Sequence, residues 1–282
     1  MLNFLKMDLY RIIRSVMTWV ILLIAVVNAF LTVYFMRLEL NVNEHNNSVE
    51  QSVDRITTTL KQGVEYNPSH LNGYDVRTMD LFSRMIRNGN VLILLTIYCV
   101  MFVNSENKSG FIKNIAGQLS NSGQFIIPRL IIFAFYSGLL LITSLIMAIA
   151  GQLLLIGNSD LRDISSILPF LGTQWILHAA FGALISCIIT IFRNTITSLT
   201  LGLFIASGLF ELTYVYVMKL VNISESRASG LLFSGYLVDG NIRQLPLVFE
   251  PIIYIRALII SAVFLIAMTG INIYVTHKRD II

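Results

Sequence analysis

Four polar side chains lie inside long apolar runs of this sequence: Asn28, Gln174, His178 and Glu211. An ionised side chain at the centre of a membrane helix costs about 2.5–3.5 kcal/mol on insertion scales, so Glu211 is expected to face a cavity or a partner. Gln174 and His178 are one helical turn apart, and His178 could be that partner. Such a pair suits a pathway or gate for a transported molecule. It would also suit acid–base chemistry within the membrane. Ordinary structural hydrogen bonding is the competing reading for all four residues.

A second constellation lies between apolar runs. Ser105 can cap a helix, and Glu106 would then sit in its first turn, where a negative charge suits the dipole. Phe111, Ile112, Ile115 and Leu119 follow as an apolar stripe, with Gly110, Lys113 and Asn114 among them. A short, half-apolar helix outside the membrane needs a partner to cover that stripe, or else lies flat on the lipid. A third pattern is Ser198, Gly202 and Ala206, spaced by four, with Ala179/Ala183 and Gly182/Ser186 alongside. Small residues at this spacing let helix backbones approach closely, within one chain or between subunits.

Several chemistries have no carrier. His45, His70, His178 and His277 are scattered without HxxxH or HExxH spacing, so no metal centre is expected. Neither a GxxxxGK[ST] phosphate loop nor a GxSxG elbow occurs, and catalysis by this chain alone has little support. Cys99 and Cys187 fall in apolar runs and read as small apolar residues.

The elements that must position these residues are membrane helices. The chain has 282 residues, 55% hydrophobic and 13% charged, against about a quarter charged in soluble domains. Its mean hydropathy is +0.73. The apolar residues come in blocks near the ~20 residues needed to cross a bilayer. Six spans are expected: 17–36, 89–104, 129–156, 170–192, 195–221 and 252–275. The stretch from Met79 to Asn90 reads as a helical lead-in to the second, with Leu81, Phe82, Met85 and Ile86 on one face.

Six spans put both termini on one side. The segments 1–16, 104–129, 193–194 and 276–282 carry nine Lys/Arg (Lys6, Arg11, Arg14, Lys108, Lys113, Arg129, Arg193, Lys278, Arg279) against three acids (Asp8, Glu106, Asp280). The positive-inside rule makes that side cytoplasmic. The formal charge of +4 is explained by this distribution, and no nucleic-acid partner is expected.

Residues 1–16 form a basic amphipathic helix for the inner membrane surface, with Leu2, Leu5, Leu9, Ile12 and Val16 as its apolar stripe. The first outer loop, 37–88, carries a second stripe, Val49, Val53, Ile56, Leu60 and Val64, which packs locally or docks a partner. In the last outer loop, apolar arms flank Asp239-Gly240-Asn241. Asp-Gly is turn chemistry, so a hairpin re-entering the outer membrane face before the last span is expected.

Glu106, Gly110, Lys113 and Asn114 carry a family resemblance. The sequence resembles the permeases of type 2 ABC exporters, bacteriocin and multidrug exporters among them. The resemblance covers the whole chain in layout and about twenty residues in motif. It implies an all-α membrane protein of the bacterial cytoplasmic membrane, forming one transmembrane permease domain over 1–282. It also implies six transmembrane helices, an interfacial amino-terminal helix, a cytoplasmic coupling helix and an outer re-entrant hairpin. By this resemblance Glu106 to Leu119 would dock on a separate ABC ATPase subunit. That subunit would hold ATP and Mg, and this chain would bind no cofactor. A second copy or a homologous permease would complete the transporter among membrane lipids, with Ser198, Gly202 and Ala206 available to a dimer interface. The cargo would be amphipathic: an antimicrobial peptide, a drug or a lipid. The first outer loop is longer than the minimal family pattern, which leaves the cargo class open. A membrane-bound sensor or scaffold that binds a partner through this loop, and an intramembrane enzyme using Glu211 and His178, are the rival readings.

Overall fold

The computed structural model describes residues 2–45, 78–108, 125–155, 164–210, 213 and 233–278. The described residues are helical, with no strand among them. The helices are α1 (Leu2–Arg14), α2 (Val16–His45), α3 (Thr78–Arg87), α4 (Asn90–Lys108), α5 (Ile126–Leu155), α6 (Ile164–Phe192), α7 (Thr195–Ala206), α8 (Val238–Gln244) and α9 (Pro251–Lys278). A single 3-10 turn, Phe233–Tyr236, precedes α8.

Four of these, α2, α5, α6 and α9, are long and apolar enough to cross a membrane. A fifth crossing results if α3 and α4, bent by 49° at their break, form one span. The protein is therefore membrane-embedded. Lipid tails are as apolar as leucine, so packing and hydrogen bonding hold such helices together. The packing is visible at its centre, where the rings of Tyr98 and Tyr136 stack at 3.5 Å and Phe102 and Phe133 meet edge-on at 5.9 Å. Aromatic pairs of this kind are worth about 0.5–1.5 kcal/mol beyond their burial. Helix α6 is the hub, packed against α9, α5, α4, α8 and α7.

The small-residue stripe acts inside the chain. Ser198, Gly202 and Ala206 are buried. A Cβ on Gly202 would lie 2.6 Å from Thr96 Cγ2 and 3.2 Å from Ile185 Cδ1. The stripe therefore faces α4 and α6 and is spent on close packing within the subunit. Gly182 does the same against Phe133 of α5.

Two expectations change. The run 195–221 is not one continuous helix: α7 stops at Ala206 and a turn follows at Ser207 and Gly208, which takes φ +80°. Asp239, Gly240 and Asn241 do not make a turn but lie buried within α8. The Asn241 side chain donates to the carbonyls of Gly235 at 3.0 Å and Leu237 at 2.7 Å, which ties the preceding bend to the helix. The amino-terminal helix α1 buries Asp8 and Ile12 and leaves Leu9 exposed. The lead-in helix is as expected, with Leu81, Phe82, Met85 and Ile86 all buried in α3. The stripe at 49–64 lies outside the described residues.

Candidate functional site

Two polar centres lie at opposite ends of α4. The first surrounds Glu106, in the last turn of that helix. Arg129, in the first turn of α5, donates Nη2 to Glu106 Oε2 at 2.6 Å, and both side chains are only 4–5% exposed. Arg11 of α1 donates Nη1 to Glu106 Oε1 at 3.4 Å. It also donates Nη2 to the Phe102 carbonyl and the Ser105 hydroxyl, each at 3.1 Å, and its guanidinium lies 4.4 Å from the Phe102 ring centre.

The sequence reading of Ser105 and Glu106 as the start of a new helix is overturned here. An acid in a last turn and a base in a first turn each oppose the helix dipole. Their mutual pairing is what makes both placements tolerable, and α4 runs on past Ser105 to Lys108. Asp8 completes the cluster from α1. It is buried, and its Oδ1 has no hydrogen-bond partner. Burial first, and then the nearby Glu106 carboxylate, push the Asp8 carboxyl up to about 6, against the pull of Arg11 and Arg129. Next to this cluster, Thr195 donates to the Asn104 side chain at 3.0 Å. Asn194 caps α7 by accepting from the backbone amides of Ile196 at 2.9 Å and Thr197 at 3.4 Å.

The second centre is built on two helix breaks. Helix α3 ends at Arg87 before Gly89, which takes φ +76°, and α7 ends at Ala206 before Gly208. Each end leaves carbonyls without an intrahelical partner, and each is the negative end of a dipole. Arg243 of α8 serves both. It donates Nη1 to the Arg87 carbonyl at 2.8 Å and Nη2 to the Ala206 carbonyl at 2.5 Å. The glycines make room for it. A Cβ on Gly89 would lie 2.5 Å from Arg243 Nη2, and one on Gly208 would lie 3.2 Å from its Cζ. Arg87 in turn donates to the Leu245 carbonyl at 3.1 Å.

No protein-family model, curated protein or solved structure matches this chain. Its function is therefore argued from these two centres.

Gln174 and His178 stand beside the second centre, both fully buried in α6. Gln174 donates Nε2 to the Ile242 carbonyl of α8 at 2.9 Å, and His178 Nδ1 lies 2.7 Å from the Gln174 carbonyl. Gln174 Oε1 and His178 Nε2 have no hydrogen-bond partner. Glu211 lies outside the described residues, as do Gly110, Phe111, Ile112, Lys113, Ile115 and Leu119. Asn28 is half-buried in α2, where its carbonyl accepts from Thr32. Among the described residues no group of His, Cys, Asp or Glu could hold a metal ion.

Sequence reasoning missed Arg243, Arg87, Gly89 and Gly208 as a unit, and it missed Asp8, Arg11 and Arg129 as partners of Glu106. The available signal was an acid ending one apolar run and a base opening the next. Nothing in the local pattern brings Arg243 to residues more than thirty positions earlier in the chain.

Proposed function

We propose that this chain is the membrane-spanning subunit of an ATP-binding-cassette exporter of the type 2 class. It sits in a bacterial cytoplasmic membrane with both termini inside and six spans. The broken α3–α4 pair is the second of these, and the interrupted run beginning with α7 is the fifth. A separate ATPase subunit holds ATP and Mg, and a second copy or homologous permease completes the translocation path. The cargo is an amphipathic peptide, drug or lipid.

One observation carries the reading: the Arg129–Glu106–Arg11 clamp. The segment 109–124 leaves α4 just after Glu106 and returns to α5 just before Arg129, and those two side chains are bonded at 2.6 Å. A force applied to that segment is passed at once to α1, α4 and α5 through buried charge. This is what a segment docked on an ATPase must do. Its sequence supplies the apolar stripe Phe111, Ile112, Ile115 and Leu119 for docking.

The test is co-purification with the products of neighbouring genes in mild detergent, for the wild type and for Phe111→Asp with Ile115→Asp. An ATPase retained by the wild type and lost by the double variant is expected. Absence of any ATPase would overturn the proposal and leave the sensor or scaffold reading.

A further inference from the structure

We infer that α8 is a latch: through Arg243 it joins the interrupted ends of α3 and α7 into one unit that opens and closes together. The inference does not depend on the exporter reading.

The geometry has three parts. First, one guanidinium bridges two helix ends from different parts of the chain, the Arg87 carbonyl at 2.8 Å and the Ala206 carbonyl at 2.5 Å. Charge-assisted bonds to two dipole ends are among the stronger bonds available to a backbone acceptor. Second, both breaks are shaped to the guanidinium. Gly89 and Gly208 adopt positive φ, where other residues are strained, and both lie against Arg243: a Cβ on Gly89 would force Nη2 to shift from 2.5 Å, and one on Gly208 would press on Cζ at 3.2 Å. Third, α8 is fastened on each side to backbone carbonyls. Arg87 donates to Leu245 and Gln174 donates to Ile242. Such bonds can be broken and remade without any side chain having to find a matching one. The flanks of α8 carry exposed apolar side chains, Tyr236, Val248 and Phe249.

A single cap shared by two ends means that neither can be released alone. Opening α8 frees both helix ends and withdraws the Ile242 carbonyl from Gln174, beside His178.

The experiment is amide hydrogen exchange on the full chain in lipid nanodiscs. It follows peptides covering 84–91, 199–208 and 238–244, with 130–150 of α5 as the internal reference. The wild type is expected to show one common protection across the first three. Arg243→Lys keeps the charge but replaces the two-nitrogen fork that meets the two carbonyls with a single nitrogen, and it is expected to speed exchange in all three by about tenfold while 130–150 is unchanged. Gly208→Ala keeps Arg243 but crowds its guanidinium at 3.2 Å and strains a φ of +80°, and the same joint acceleration is expected. Combining the two should add little. Acceleration at one helix end alone, no acceleration at either, or a loss of protection that reaches 130–150 in both variants would each overturn the latch. None of these readouts uses nucleotide or cargo, so a failed co-purification leaves the latch test intact.

Discussion

Arg87 and Arg243 hold each other's helix ends. Arg243 donates to the carbonyl of Arg87, the last residue of α3, and Arg87 donates to the carbonyl of Leu245, the cap of α8. Two like charges are thereby brought together by backbone oxygens. The arrangement makes α3 and α8 a pair whose ends are fixed by side chains reaching in opposite directions.

The clamp at the other end of α4 predicts a non-additive mutant series. Arg129→Gln leaves Glu106 buried with its nearest guanidinium gone and should cost about 3–5 kcal/mol of stability. Glu106→Gln should cost a similar amount by stranding Arg129. The double variant Glu106→Gln, Arg129→Gln should be less damaging than the sum, because no buried charge is left without its partner. Thermal unfolding in detergent measures all three. Strict additivity would mean that the 2.6 Å contact contributes no coupling.

Asp8 predicts a pH dependence with a definite sign. Its carboxyl is raised from the ordinary value of 3.8 to about 6, so the folded state holds the proton more tightly than the unfolded chain. The contribution of this group is fully favourable below the lower value and declines as pH rises through about 6. Asp8→Asn should therefore raise the melting temperature at pH 7.5, with a smaller gain at pH 5. A lower melting temperature for Asp8→Asn at pH 7.5 would show that the charged carboxylate is wanted by Arg11 and Arg129.

Gly202 predicts a rescue. Gly202→Ala sets a methyl group against Thr96 Cγ2, 2.6 Å away, and should cost about 1–3 kcal/mol through overpacking. Thr96→Ser removes that methyl and keeps the hydroxyl that donates to the Leu92 carbonyl at 2.8 Å. The double variant should recover most of the lost melting temperature. Failure to recover would place the strain at Ile185 instead.

The long apolar runs were legible because the bilayer sets a length, and a length can be counted. That argument found α2, α5, α6 and α9, and the buried face of α3 followed from its period. It extended the fifth run past Ala206 because Gly208 is one residue in an apolar stretch. Its φ of +80° serves a guanidinium from a distant part of the chain. Asp239-Gly240-Asn241 reads locally as a turn. Burial of α8 against α6, α3 and α9 outweighs that preference. Glu106 was placed at the wrong end of a helix, since its partners Arg129 and Arg11 are distant in sequence. The Glu211–His178 pairing is untouched by the described residues; Gln174 and His178 are both buried inside the bundle.

Helix α7 has 12 residues, about 18 Å of rise at 1.5 Å per residue, against roughly 30 Å of hydrocarbon. Taken alone, α7 is therefore too short to cross. Its end at Ala206 is not left to lipid, because Arg243 donates to that carbonyl. An apolar helix that stops this early has to have its last carbonyls answered by protein, and here the answer comes from a residue 37 positions further along the chain.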